Sequence, residues 1–304
     1  MFKAISHSLH LLRSSTPTSR QWATSSGSRR SLVTQISPTT SLLRAEHTSN
    51  EVYLLGTAHI SEASANEVIQ LVDQIKPDTV FLELDPPRAA RLRHSSTHSN
   101  NDDADEAMFL QGIQRLGAQS GGGGGMPFGE EMLKTFFRKF YGILKRYGYV
   151  PGIEMLAAMK EAERIGAKLE YGDRDIHDTI RELSGALNPS LIMKASTIQP
   201  PTELQEIFQN SFQGGGGGGG GLEGLGDTVE AMKTREHARM MTTWMDQALP
   251  PITEVMLHRR DKVMAENLRK NCGQGKVLAV VGMAHMDGVE REWAALEGRH
   301  SMLS

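Results

Sequence analysis

Apolar residues fall along this chain in two rhythms. Three segments predict strands: the unbroken run Val52-Tyr53-Leu54-Leu55, the segment Thr79-Val80-Phe81-Leu82-Glu83-Leu84, and the unbroken run Val277-Leu278-Ala279-Val280-Val281, the two unbroken runs reading as buried. Between the first two, Val68, Leu71, Val72 and Ile75 recur at helical spacing; Ser61 is a candidate cap, Glu62 sits in the favourable first turn, and Pro77-Asp78 ends the helix. Strand 51–56, this helix and strand 79–84 form a βαβ unit with parallel strands and a right-handed crossover. As neighbouring strands they lie about 4.8 Å apart, so His59 and Glu83 share one sheet edge within reach of one ion. Further on, 151–166 predicts a helix with Met155, Met159 and Ala162 inward and Gly166 closing it. A short strand at 168–171 and a helix from His177 follow. Two long helices, 228–247 and 252–270, are separated by Pro250-Pro251, and a last helix runs to about Glu297.

Two stretches break this rhythm. Residues 94–129 are polar, acidic and Gly-rich, with five glycines at 121–125, and 214–221 are eight consecutive glycines, so flexible insertions are expected near 94–129 and 213–227. Between them, 131–149 mixes aromatic and basic residues, among them Phe136, Arg138, Phe140, Lys145 and Tyr147. Peripheral contact with a membrane surface is one reading. The apolar positions are too dispersed to leave a clean polar face, which favours a core or lid helix.

Composition alters the picture at the amino terminus. The net charge of −3 conceals an asymmetry: residues 1–45 carry six basic residues and no acidic one, leaving 27 basic against 36 acidic beyond them. That balance argues against nucleic acid as a partner, which needs a basic face. The same 45 residues hold 17 Ser or Thr, and Phe2, Ile5, Leu9 and Leu12 share one side of a short helix. An Arg- and Ser-rich, acid-poor start is the pattern of an organelle transit peptide. We expect a disordered leader over 1–45 directing the chain to the mitochondrion, ahead of the plastid; a plain disordered tail on a cytoplasmic protein is the alternative. Cys272 is the single cysteine, which excludes an internal disulfide and a thiolate cluster. No apolar run approaches the about 20 residues of a transmembrane helix.

The candidate chemistry gathers where strands end. Gly56-Thr57-Ala58-His59 and Gly282-Met283-Ala284-His285 repeat one Gly-x-x-His pattern after two apolar runs more than two hundred residues apart. Glycine lets the chain turn sharply out of a strand, and the carboxyl edge of an open α/β sheet is where ligands bind. His59, Glu83 and His285 are therefore the candidate metal ligands, since imidazole and carboxylate suit Mn, Co or Zn. Either histidine alone reads equally well as a satisfied loop or capping residue. Arg88, five residues after Glu83, is placed to clamp a substrate carboxylate or to orient Glu83, with Asp85 a second acid. Arg174 lies in the charged turn Asp173-Arg174-Asp175 after a strand, and Arg260 and Asp261 lie in a helix whose charged face is by default solvated.

In order along the chain, these segments resemble the TraB/PrgY family, within the wider grouping of Tiki and GumN-type proteins. The matching segments are Gly56-Thr57-Ala58-His59-Ile60-Ser61, Val80-Phe81-Leu82-Glu83-Leu84-Asp85 with Arg88, Pro151-Gly152-Ile153-Glu154-Met155, Gly172-Asp173-Arg174-Asp175-Ile176, Arg260-Asp261 with Met264, and Val280-Val281-Gly282-Met283-Ala284-His285. The resemblance implies an α/β fold, a mixed, largely parallel sheet with flanking helices and a helical insertion, over roughly 46–300. It implies a divalent-metal site of His59, Glu83 and His285, with Glu83, Arg88, Arg174, Arg260 and Asp261 in catalytic or substrate-binding roles. Tiki-type relatives imply metal-dependent hydrolysis of peptide bonds; the alternative is a non-catalytic mitochondrial adaptor that keeps the fold and binds a protein partner. Many prokaryotic relatives carry a hydrophobic carboxyl-terminal membrane region, absent from these 304 residues, and Met283-Ala284 stands where a smaller pair is common.

Overall fold

The computed structural model describes residues 32–45, 50–57, 62–95, 152–186, 189–205 and 234–303. Six strands, β1 (Val33–Gln35), β2 (Thr40–Arg44), β3 (Glu51–Thr57), β4 (Thr79–Leu82), β5 (Lys168–Tyr171) and β6 (Lys276–Gly282), make one sheet in the order β1-β2-β3-β6-β4-β5. β3, β6, β4 and β5 are mutually parallel, while β1 and β2 add antiparallel at one edge. The sheet is thus mixed and largely parallel.

The alternation of side chains along each strand divides the core in two. Leu42, Tyr53, Leu55, Val80, Leu82, Leu278 and Val280 face α1 (Glu62–Ile75) and α3 (Ile153–Ile165), meeting Val68, Leu71, Val72, Met155 and Met159. On the other face Leu43, Val52, Leu54, Phe81, Val277, Ala279 and Val281 meet Met264, Leu268, Met286 and Trp293 of α8 (Arg259–Asn271) and α9 (Met283–Leu303). A third cluster joins α4 (Ile176–Ala186), α5 (Pro189–Ser196), α6 (Arg235–Ala248) and α7 (Pro250–Thr253). α2 (Pro86–Ser95) follows directly on β4 and Glu83. α3 ends as expected: Gly166, at φ 71°, directs its N–H to Ala162 and Glu163 carbonyls.

Four expectations need correction. Residues 33–44, assigned by composition to a disordered leader, form β1 and β2; the adjacent Leu42 and Leu43 are both buried, one on each face of the sheet. Abundant Ser and Thr over 45 residues hides a five-residue strand. Second, β3 and β4 are not neighbours: β6 lies between them and pairs with both. β6 has no charged residue after Lys276, and every residue from Val277 to Gly282 is buried. Third, the helix expected over 252–270 is broken by a π-helical turn, Glu254–His258, between α7 and α8. Fourth, α9 starts directly on β6, so His285 lies in a helix's first turn and not in a loop, and the helix continues to Leu303. Helix α6 begins at Arg235, capped by the Thr234 side chain accepting from His237 N–H; residues 228–233 lie outside the described residues. Residues 1–31, 131–149 and both glycine runs also lie outside them.

Candidate functional site

Four parallel strands deliver their carboxyl ends to one edge. Glu83 follows β4, its N–H extending the ladder to Val280 O at 3.1 Å. Asp173 follows β5 by two residues and donates its N–H to Leu84 O. Thr57 closes β3 opposite Gly282, the last residue of β6. His59 lies outside the described residues.

On this edge Glu83, Asp173, Arg260, Asp261 and His285 are all buried and joined. Glu83 Oε2 accepts the Gly282 N–H at 2.6 Å; Oε1 accepts from Arg260 Nη2 at 2.5 Å and faces His285 Nε2 at 3.1 Å. The other imidazole nitrogen, Nδ1, is 2.6 Å from Asp261 Oδ1. Asp261 comes this close because Gly288 has no side chain: a Cβ there would run into the Asp261 carboxylate. Arg260 turns its Nε to Asp173 Oδ1 at 3.0 Å and its Nη2 to Oδ2 at 2.6 Å, and its Nη1 donates to Met256 O at 3.2 Å. Arg88 joins from α2, donating from Nη2 to Asp173 and from Nε to Asp85 at 3.2 Å. Asp85 also accepts the Arg88 and Ile176 N–H groups, tying the starts of α2 and α4 together.

Four carboxylates thus sit among two guanidiniums and one imidazole. Buried charges of this kind survive only when paired and hydrogen-bonded, and such clusters mark candidate functional sites. Burial alone would push the His285 pKa down. The Glu83 and Asp261 carboxylates outweigh it and the opposing Arg260, raising it to about 9. Burial also raises Asp261, against the pull of His285 and Arg260. At about 9, the imidazole stays protonated at neutral pH. Asp173 is opposite: despite burial, Arg260 and Arg88 hold its carboxyl below the usual range.

Of the residues singled out from sequence, Glu83, Arg260, Asp261 and His285 come together, and Arg88 joins through Asp173. The Arg174 side chain does not enter the cluster: its guanidinium engages Glu182 of α4, which Arg259 also holds at 2.8 Å. Asp173 itself was legible only as part of a charged turn, although it follows a strand end as Glu83 does. Glu154 has a sequence signal only in the Pro-Gly-Ile-Glu segment; it is wholly buried in the first turn of α3 and accepts the Gly152 N–H at 3.2 Å. Cys272 is buried, and burial pushes its thiol up to about 12, which removes it as a nucleophile.

His285 Nε2 and Glu83 Oε1 form a donor pair suited to Mn, Co or Zn. A carboxylate behind the imidazole, here Asp261, is the usual outer partner of a histidine ligand. Among the described residues no group of three or more His, Cys, Asp or Glu is disposed to hold one ion. No described helix is long and apolar enough to cross a membrane.

The chain is similar to TraB domain-containing proteins of Bos taurus, 26% identical over 261 residues covering 80% of this chain and 63% of that protein, and of Homo sapiens, 25% identical over 267 residues covering 81% and 63%. It is also 25% identical over 248 residues to an uncharacterized protein of Methanocaldococcus jannaschii, covering 81% of this chain and 54% of that one. It therefore spans less than two thirds of the length of these relatives. The sequence profile of one family matches residues 41–299, from β2 to near the end of α9 and through every residue of the buried cluster, and the chain belongs to that family, TraB/PrgY/gumN.

Proposed function

We propose that this chain is a hydrolase acting on peptide bonds with the help of a divalent ion held by His285, Glu83 and His59. The observation that carries the reading is the Glu83–His285–Asp261 chain at the carboxyl edge of a parallel sheet, with hydrogen-bond distances at both imidazole nitrogens. When bound, such an ion polarises a carbonyl and lowers the pKa of water. The protein's own part is positional. Asp261 fixes the imidazole through Nδ1 and leaves Nε2 facing the site. Glu83, anchored by the Gly282 N–H, presents Oε1 toward the same point. Arg260 and Arg88 balance the buried carboxylates. We further propose that a leader preceding β1 takes the chain to the mitochondrion.

The test is elemental analysis of the folded full chain, wild type beside His285→Ala and Glu83→Gln, with mass-spectrometric scoring of a peptide library. One ion per wild-type chain, none in the variants, and cleavage only by wild type are expected. Equal metal content in all three proteins would reject the site. A metal-loaded wild type that cleaves nothing would favour the adaptor reading.

A further inference from the structure

Asp173 stands outside the line from Glu83 to His285, yet two guanidiniums, those of Arg260 and Arg88, converge on its carboxylate. Arg260 grips both its oxygens through Nε and Nη2, Arg88 Nη2 adds a contact from a second guanidinium, and the Arg174 N–H donates to Oδ1 at 2.7 Å. A planar fork fixed on one carboxylate has its remaining hydrogens fixed in direction. Here one of them reaches Glu83 Oε1 and another reaches Met256 O. Met256 lies in the π-helical turn, where bonding runs five residues back, as in Arg259 N–H to Glu254 O. Such turns recur at functional sites. This one brings Arg260 to Asp173 and the next residue, Asp261, to His285.

We propose that Asp173 is a positioning residue of this site: it acts through Arg260 to hold Glu83 Oε1 against the Nε2 face of His285. The proposal rests on the hydrolase reading for its purpose but not on a metal for its geometry. Asp173 sets one side of the imidazole and Asp261 the other, so the two sides separate in experiment. Asp85 supplies a control, being likewise buried and bonded to Arg88 but not to the Arg260 fork.

The measurement is proton–nitrogen NMR of the chelated full chain labelled in its histidines, with His285 signals assigned by their loss in His285→Gln. Asp173→Asn is expected to lose the Nε2–H signal to water exchange while the Nδ1–H signal toward Asp261 persists. Asp85→Asn is expected to lower the melting temperature and keep both signals. If Asp173→Asn does not fold, Arg260→Lys, which keeps the cation but not the fork, is read in the same way. An unchanged Nε2–H signal in the folded variant, or equal loss in Asp85→Asn, would overturn the proposal. Because metal is absent throughout, this outcome is independent of whether the chain binds an ion or cleaves a peptide.

Discussion

At the scale of single residues, the imidazole proton of His285 makes stability depend on pH. His285 rises from an ordinary 6.5 to about 9 on folding, so the folded state binds its proton more tightly than the unfolded chain. That stabilisation is complete below about pH 6.5 and is lost as pH rises through about 9. Asp261, also raised, acts with the same sign. Asp173, lowered, has the opposite sign: its contribution is present above the ordinary carboxylate range and lost in acid. The metal-free protein should therefore be most stable between these limits. From pH 6.5 to 9 the unfolding free energy should fall by up to about 1.4 kcal/mol per pH unit for one linked proton. His285→Gln should flatten that alkaline slope. Urea midpoints across the range for both proteins decide it; an identical fall in the variant would assign the slope to another group.

At the scale of elements, α8 and α9 show how helix packing builds the site. Gly288 lies one turn beyond His285, at the point where α9 passes the Asp261 carboxylate, whereas Gly185 near the end of α4 has nothing within 4 Å of where a Cβ would be. Alanine is favoured over glycine in a helix by about 1 kcal/mol, so Gly185→Ala should stabilise by about that amount. Gly288→Ala gains the same propensity but forces Asp261 away, and overpacking costs about 1–3 kcal/mol. It should be net destabilising and should weaken the Asp261–His285 bond. A thermal melt of both variants checks the sign, and stabilisation by both would show that Asp261 yields without cost. Such close contacts are not legible in a sequence. Strands β3, β4 and β6 are, because burial on both faces demands unbroken apolar runs. The strand order is not, because three such runs pair in any order as far as their composition goes. Glu83 and His285 stand out as polar residues at the ends of apolar strands. Arg260 and Asp261 stand out through the family resemblance and not through periodicity, because the π-helical turn before them leaves no mark in the helical spacing.

At the scale of the whole molecule, the β1–β2 hairpin closes one edge of the sheet. Leu42 packs on the α1–α3 side of the sheet and Leu43 on the α8–α9 side, so one strand closes both halves of the core. β2 also covers the edge of β3, giving it a paired ladder from Thr40 to Arg44. Side chains from the far end of the chain fasten it: Arg235 Nη1 donates to Ser41 Oγ at 3.2 Å, and the buried Trp293 donates from Nε1 to Arg44 O at 3.1 Å. Removing one buried leucine costs about 2–5 kcal/mol, so losing both approaches the about 5–15 kcal/mol that holds a typical domain together. An uncovered β3 would add an open strand edge, which invites aggregation. A chain beginning at residue 32 should fold with the stability of the full sequence, whereas one beginning at residue 46 should be largely insoluble or melt far lower. The comparison also bears on the proposed leader. If an import protease removes one, its cut has to fall before Val33, and sequencing the amino terminus of protein recovered from mitochondria reads that position directly. Equal stability of the two truncated chains, or a mature terminus beyond residue 44, would show that the hairpin is dispensable and that the fold closes from β3 onward.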